Sequence, residues 1–148
     1  MKEYVKECVF VDSSFWIALI DQRDQNHPSA KNDLKSILQD YQLCLSDLII
    51  FETLTYFNCS LKRHDLALRF LQKTESQVFS IFSVDEAVKP QALVWFKRYA
   101  DKDLSMTDCT SFVLMESEKI QWYAGFDDHF NQIGFLNVSS QLGASKKL

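Results

Sequence analysis

Short apolar runs alternate with stretches of helical periodicity along the chain, and this alternation limits the fold more than any other feature. The first run, Val9-Phe10-Val11, predicts a buried strand, and a short helix is predicted directly after it. The succession recurs, with further strands predicted at 43–45, 78–82, 122–125 and 135–138 and helices at 15–21, 30–38, 47–63, 65–72, 85–99 and 108–119. Strands that alternate with helices indicate an α/β fold built on a mainly parallel sheet.

Most of the predicted helices start beside a residue that can accept a hydrogen bond from the first turn. The N-cap candidates are Ser13 or Ser14, Ser46, Asp65 and Thr107, and Asp85 is expected to begin its helix.

Glycine is nearly absent from the 148-residue chain, and its three glycines, Gly125, Gly134 and Gly143, all lie in the last quarter. Phosphate-binding loops need glycine where the backbone approaches a phosphate, so neither a P-loop nor a dinucleotide-binding loop fits the preceding residues. The sequence contains no repeat, low-complexity tract or linker. We therefore expect residues 1–148 to form a single domain.

The net charge of -4 argues against a chain that holds nucleic acid by bulk positive charge. A nucleic-acid contact would have to be local or depend on bound cations. The four cysteines form no CxxC pair, which disfavours a zinc module. The first ten residues are too charged for a signal peptide, and the longest apolar run, 15–20, is too short to span a membrane. We expect a cytoplasmic protein with reduced thiols and no membrane contact.

Four acidic residues stand where a carboxylate is costly or conspicuous. Asp12 directly follows the first strand and Asp127 follows the fourth by two residues, so both are expected at the carboxyl edge of the sheet. Asp108 lies in the first turn of a helix, where the helix dipole stabilises an anion. Glu52 is embedded in an apolar helix that rarely tolerates an unpaired charge.

Each of these acids also has an ordinary structural interpretation. Asp108 can be a helix-start residue, Asp12 a strand-end cap, Glu52 the rim of an amphipathic helix and Asp127 the start of a short helix. As a group, however, they repel one another, and a divalent cation offsets that repulsion. Such an ion binds oxygen ligands and leaves positions open for phosphate oxygens, which points to chemistry at a phosphodiester.

Four motifs together resemble PIN-domain ribonucleases, a family best known from the VapC-type toxins of toxin–antitoxin pairs. They stand in the family's order and span about 9–138. The motifs are VFVDSSFWIAL at 9–19, SDLIIFE at 46–52, DLSMTD at 103–108, and FDDHF at 126–130 with Gly134-Phe135 after it.

The resemblance implies a three-layer α/β/α domain whose central, mainly parallel sheet is flanked by helices. It implies an endoribonuclease that depends on Mg²⁺ or Mn²⁺ and cleaves RNA, with a cognate antitoxin as partner. A homodimer is expected because an aromatic-rich helical face, if exposed, should bind a partner. Ser13 and Thr107 would orient carboxylates or water. The catalytic and metal-binding residues, carried over by position, would be Asp12, Glu52, Asp108 and Asp127.

Some assignments within the site stay open. Asp128 competes with Asp127 for a place in it, and Asp101 or Asp103 competes with Asp108. We interpret the neighbouring histidine, His129, as a structural residue that precedes a buried aromatic side chain.

Two further sets of residues have both a functional and a structural interpretation. The basic runs 62–64 and 97–98 are candidates for holding an RNA backbone, although such pairs usually end solvated helices. Seven aromatic residues are assigned to core or dimer-face packing instead of base stacking because of their helical spacing. They are Phe15, Trp16, Phe51, Tyr56, Phe57, Trp95 and Phe96.

Two other functions compete with the ribonuclease. An aspartate-nucleophile phosphatase also carries an aspartate after a buried strand, but Ser14 stands where its acid/base aspartate belongs. A catalytically inactive PIN-like module that binds RNA or protein would keep the fold and lose turnover, and the retention of all four acids argues against it.

Overall fold

A computed structural model of the chain describes residues 5–76 and 78–145. All strand pairings within these residues are parallel. The strands are β1 (Glu7–Val11), β2 (Tyr41–Ser46), β3 (Phe79–Phe82), β4 (Trp122–Ala124) and β5 (Leu136–Asn137). They form one sheet in the order β3-β2-β1-β4-β5.

The helices cover both faces of this sheet, which confirms the predicted three-layer α/β/α architecture. The first four pack together, with the first against the second, third and fourth, whereas the sixth packs against the fifth and seventh. Their bounds are α1 (Ser13–Ile20), α2 (His27–Asp40), α3 (Asp47–Thr55), α4 (His64–Thr74), α5 (Val88–Arg98), α6 (Met106–Ser117), α7 (His129–Ile133) and α8 (Val138–Ser145).

The strand order reverses direction at β1, because the chain builds β2 and β3 on one side of it and β4 and β5 on the other. The connections from β1 and β4 therefore diverge to opposite sides and leave a crevice at the carboxyl ends of the two strands. In α/β sheets of this kind, ligands bind at such a switch point. The topology thus fixes where a functional site is expected before any side chain is considered.

Ser46 caps α3 as predicted, since its hydroxyl accepts a hydrogen bond from the backbone N–H of Ile49 at 3.1 Å. The helix itself is shorter than the predicted range 47–63. It ends at Thr55 and continues as a single π-helical stretch, Tyr56–Ser60. Apolar periodicity does not distinguish an α-helical turn from a π-helical one, so the sequence could not show this change.

Two predicted caps are wrong by one or two residues. Asp12 caps α1 in place of Ser13 or Ser14, and Ser105 caps α6 in place of Thr107. In each case the sequence offers adjacent residues that can cap a helix, and the earlier one has the extended backbone that an N-cap requires.

Two other helix starts also differ from prediction. Helix α4 begins at His64 without a side-chain cap, and Asp65 instead pairs with Arg63 at 2.8 Å. Helix α5 begins at Val88 because the Asp85 carboxylate accepts the backbone N–H of that residue at 3.2 Å and closes a preceding turn.

Aromatic side chains make up much of the core on the β4 side of the sheet. The buried ring of Phe130 stacks on Tyr123 at 5.0 Å and meets Phe112 edge-on at 5.1 Å between centroids. The rings of Phe10 and Phe135 lie within 6.5 Å of the same ring. Phe130 therefore packs the segment that follows β4 against the sheet.

The seven aromatic residues assigned to packing differ in exposure. Phe15, Trp16 and Phe57 are buried, as predicted for core residues, and Trp95 is partly buried against the core. Phe51, Phe96 and Tyr56 keep 63%, 49% and 36% of their surface exposed, so they do not belong to the core of the single chain.

No helix in the described part of the chain has the length and apolar character needed to span a membrane. The single domain over 1–148, the cytoplasmic location and the lack of a signal peptide stay predictions. Residues 1–4, 77 and 146–148, on which they partly rest, lie outside the described residues.

Replacing Phe130 with alanine should lower the free energy of unfolding by about 3–5 kcal/mol, because a buried ring and its aromatic contacts are lost and a cavity remains. Urea unfolding measures the change. Phe51→Ala is the matched control, since its ring is mostly exposed, and it should change stability by less than about 0.5 kcal/mol. Equal losses in the two variants would contradict this account of the core.

Candidate active site

Asp12 ends β1 and begins α1. Its backbone N–H donates to the Ala124 carbonyl at 2.9 Å, which extends the pairing of β1 with β4 by one residue. Its carboxylate Oδ2 accepts the Ser14 hydroxyl at 2.7 Å, and that hydroxyl oxygen accepts the backbone N–H of Phe126 at 2.9 Å. The carboxylate is therefore fixed by α1 and, through Ser14, by the loop after β4.

Gly125 allows this close packing. A Cβ atom at position 125 would lie 3.2 Å from both the Asp12 Cβ and the Ser14 Oγ. These distances are shorter than ordinary van der Waals contacts, so any side chain here would displace one of the two groups. A glycine in a chain with so few of them thus has a defined steric role.

Glu52 extends from α3 and is half-buried. The hydroxyl groups of Ser13 and Thr107 lie near enough to its carboxylate to lower its pKa, against the larger raising effect of burial. Because Ser13 begins α1 and Thr107 lies in the first turn of α6, Glu52 joins the starts of two other helices. These are the two hydroxyl residues that the sequence assigned to orienting carboxylates.

Asp108 belongs to a capping box at the start of α6. Its backbone N–H donates to the Ser105 hydroxyl at 3.0 Å, and its Oδ2 accepts the Ser105 N–H at 3.1 Å. The same oxygen lies 3.0 Å from His129 Nδ1. Among the described residues, Oδ1 has no hydrogen-bond partner. The helix-start interpretation of Asp108 is therefore right, and it is compatible with a place in the acidic cluster.

His129 links two of the acids. Its Nδ1 lies between Asp108 Oδ2, at 3.0 Å, and Asp127 Oδ1, at 3.2 Å. Its backbone N–H also donates to Asp127 Oδ1 at 3.0 Å. A nitrogen that faces two acceptors must carry the ring proton to bind either one. The purely structural interpretation of His129 was incomplete, because its ring faces the cluster.

The four predicted acids line one pocket of about 310 Å³ at the carboxyl edge of the sheet. Among its described lining residues there is no lysine or arginine. The rest of the lining is Ser13, Ser14, Ile17, Tyr56, Asp103, Ser105 and His129.

The structure separates the competing carboxylates. Asp103 lines the pocket, so it joins the four predicted acids. Asp128 is exposed, and its carboxylate accepts the side-chain amide of Gln132 at 3.3 Å. Asp101 is exposed and lies 3.8 Å from the Lys102 ammonium. Neither Asp101 nor Asp128 lines the pocket.

The pKa of Asp12 is raised to about 7, chiefly by burial and also by the charges of Asp108 and Glu52, against the lowering effect of the Ser14 hydrogen bond. Burial also raises the pKa of Glu52, with further increases from the charges of Asp108 and Asp127. The acids thus form one electrostatic group, in which neighbouring negative charges disfavour ionisation of Asp12 and Glu52.

The donor set suits a hard divalent cation, because it consists of carboxylate and hydroxyl oxygens and because positive charge relieves their repulsion. Within the described residues, no three histidine, cysteine or acidic side chains are already arranged to hold an ion. Mg²⁺ is usually bound through only one or two carboxylates and keeps several waters. The residues therefore fit such an ion if water completes its coordination.

Sequence reasoning missed Tyr56 and Ser105 as pocket residues. Ser105 had a visible signal, since Ser-x-x-Asp before an apolar helix is a capping-box pattern. Tyr56 had none, because its place in the pocket depends on the π-helical stretch after α3.

Residues 9–136 match the family pattern of the PIN domain. The chain is 32% identical over 132 residues to the 23S rRNA-specific endonuclease VapC20 of Mycobacterium tuberculosis, which covers 88% of this chain and 97% of that protein. The crystal structure of that VapC20, a sarcin–ricin loop cleaving toxin, matches with a TM-score of 0.78 and 30% identity over 86% of this chain and 96% of that one.

Rickettsia felis VapBC2, crystallised with a DNA fragment from its promoter, matches with a TM-score of 0.65 at 14% identity, over 88% of this chain and 96% of that one. At this identity the likeness shows the fold alone. It agrees with the parallel sheet and flanking helices described above.

Asp12→Asn should change how stability depends on pH. The pKa of Asp12 is about 7 in the folded protein and near 3.8 when unperturbed, so between these values the folded protein binds more protons than the unfolded chain. This carboxyl therefore destabilises the fold increasingly as pH rises through that range. In EDTA, the stability of Asp12→Asn relative to wild type should rise by up to about 4 kcal/mol between pH 4 and 7.

Urea unfolding at a series of pH values measures this difference. Asp40→Asn at the exposed end of α2 is the control and should show no such trend. A difference between Asp12→Asn and wild type that stays constant over the range would contradict a raised pKa for Asp12.

Proposed function

The chain belongs to the PIN-domain family, and from this membership and the acidic pocket we propose that it is a divalent-metal-dependent endoribonuclease. The proposal includes the role of toxin in a toxin–antitoxin pair, by analogy with the VapC20 relative. RNA is its proposed substrate, and the 23S rRNA on which that relative acts is the first RNA to test.

One observation carries the proposal: Asp12, Glu52, Asp108 and Asp127 line a single pocket that has no lysine or arginine in its described lining. Burial, and in addition the repulsion among these acids, raises the pKa values of Asp12 and Glu52. Such a set costs stability in the metal-free protein, and a purely structural role does not account for that cost.

The acids of the pocket would have different roles according to their burial. Mg²⁺ or Mn²⁺, when bound, supplies positive charge at the scissile phosphate and lowers the pKa of an attacking water. Asp12, which is buried, and Glu52, which is half-buried, would hold the ion and its waters on the sheet side. Asp127, whose side chain is 41% exposed, would act nearer the mouth of the pocket.

Hydrogen bonds from neighbouring side chains would keep these carboxylates in position. Ser14 orients Asp12, and the hydroxyls of Ser13 and Thr107 orient Glu52. Side chains that already hold a ligand in its working rotamer reduce the reorganisation needed when a substrate enters.

An inactive module that binds RNA or protein is the second candidate. The observation that favours it is the His129 ring, whose Nδ1 contacts the carboxylates of both Asp108 and Asp127. The phosphatase hypothesis finds no support, because the Ser14 hydroxyl is used to join Asp12 to the Phe126 backbone.

We also propose an antitoxin and a second copy of the chain as partners. Exposed apolar side chains support partner binding, since large ones are seldom left in water in groups. Helix α5 exposes Leu93, Val94 and Phe96 at 47%, 55% and 49%. The antitoxin would cover or enter the acidic pocket, where a basic side chain from it would compete with the metal.

Asp12→Asn and Glu52→Gln should each reduce RNA cleavage by about two orders of magnitude or more, because an anionic ligand is lost while side-chain volume is kept. Cleavage of 23S rRNA fragments in Mn²⁺ or Mg²⁺ measures the effect. Asp40→Asn removes the same charge from an exposed helix end and should cleave normally. Full activity of purified Asp12→Asn would refute its assignment.

Divalent cations should raise the melting temperature of the wild type. At a concentration a hundredfold above the dissociation constant, binding adds about 2.7 kcal/mol, or roughly 5–10 °C for a chain of this size. Asp12→Asn should lose most of this response, as thermal melts with EDTA and with Mn²⁺ would show. A wild type that does not respond to millimolar Mn²⁺ or Mg²⁺ would favour the inactive module.

A further inference from the structure

A second cavity, of about 350 Å³, lies where α1, α2 and α4 meet, at the end of α1 opposite to Asp12. Helix α2 contributes Lys31 and Lys35 to its lining, and α4 contributes Arg69 and Lys73. We call these four residues and the space between them the cationic cleft. Its described lining also contains Leu19, Ile20 and Leu34, and it contains no acidic side chain.

The charges of the cationic cleft are uncompensated. Within the described residues, none of the four has an acidic side chain within 4.0 Å, and all four are exposed. The two residues on each helix are four positions apart, so like charges stand one above the other on the same face. This arrangement is unfavourable without an anion, and the chain as a whole carries a net charge of -4.

A smaller cavity of about 240 Å³ continues the cleft, and Arg69 lines both. Arg23 adds a fifth cation there, and the cavity also contains one acid, Asp21, whose carboxylate accepts the Arg23 backbone N–H at 3.0 Å. Arg63 also lines this cavity, but Asp65 neutralises it through two hydrogen bonds of 2.8 Å. Positive charge therefore extends from the α2–α4 groove along the loop after α1.

We propose that the cationic cleft binds the phosphate backbone of the RNA substrate beside the cut site, a proposal that rests on the function proposed above. The acidic pocket has no lysine or arginine in its described lining, so the phosphates that flank the cut need a positive surface elsewhere. A polyanion that crosses the cleft neutralises both helix faces at once.

The cleft lies within reach of the pocket. Helix α1 begins at the Asp12 cap and ends at Ile20, and eight residues of helix span about 12 Å. Leu19 and Ile20 at its far end line the cleft, whereas Ile17 lines the acidic pocket. One strand of RNA can therefore contact both sites.

The cleft brings together more unpaired positive charge than either basic run that the sequence suggested. In the run 62–64, Arg63 is already paired with Asp65. The run 97–98 lies at the end of α5 and offers two cations, and Lys97 lines a cavity together with Asp103.

Binding of a fluorescein-labelled RNA hairpin to the full chain in EDTA tests the proposal without requiring cleavage. Lys31→Gln/Lys35→Gln and Arg69→Gln/Lys73→Gln should each weaken binding roughly tenfold at 0.1 M salt, with a slope of log K against log salt that is smaller by about 1.4. Both variants should melt no lower than wild type, because like charges are removed. Lys6→Gln/Lys119→Gln makes the same charge change at exposed residues before β1 and β4, at the amino edge of the sheet, and should leave binding unchanged.

Three results would overturn the proposal: equal losses in the cleft and control variants, unchanged RNA binding in the cleft variants, or cleft-dependent binding of polyglutamate without binding of RNA. The first would indicate bulk charge, and the third an acidic protein partner.

Cleavage assays with Mn²⁺ separate this proposal from the proposed function. The cleft variants should show a raised KM and an unchanged kcat, which a merely structural role would not produce. If the wild type cleaves no RNA but binds it through the cleft, the nuclease proposal fails and this one stands. If the wild type cleaves RNA and the cleft variants have an unchanged KM, the nuclease proposal stands and the proposal for the cleft fails.

Discussion

The hydrogen bond from the Asp12 N–H to the Ala124 carbonyl is the last contact between β1 and β4, and the acidic pocket depends on it. It brings the end of β4 beside the start of α1, so the loop with Gly125 and Asp127 lies over the Asp12 carboxylate. Asp12 and Ala124, which are 112 positions apart in the chain, thereby become neighbours. Burial of Asp12 is unfavourable, and Ser14 offsets part of that cost by donating to the carboxylate while it accepts from the same loop.

Much of the fold could be predicted because it follows from periodicity. Strands of a parallel sheet are short apolar runs, and their carboxyl ends meet at one edge, so residues directly after strands, such as Asp12 and Asp127, were expected together. Boundaries were less predictable. Where capping residues are adjacent, as at 12–14, backbone torsion decides among them, and the π-helical stretch Tyr56–Ser60 has no signature in hydrophobic spacing.

What the sequence could not show are contacts made by helix packing. The cationic cleft joins residues of α2 and α4 that are more than thirty positions apart, and each basic residue by itself resembles an ordinary solvated side chain. Adjacency in sequence was misleading, because Arg63 in the run 62–64 is already paired with its neighbour Asp65. His129 was similarly underestimated, since only the structure shows that one ring nitrogen faces both Asp108 and Asp127.

The length of helix α1 determines how far the cationic cleft lies from Asp12. Asp12 fixes one end and the cleft adjoins the other, so in the proposed mode of RNA binding the helix would act as a spacer of about 12 Å between an anchored phosphate and the bond to be cut. At about 3.4 Å per stacked nucleotide this corresponds to an offset of three to four nucleotides. The position of the cut would then depend on its distance from a bound phosphate as well as on the bases around it. Lengthening α1 by one turn would therefore move the cut along the RNA strand.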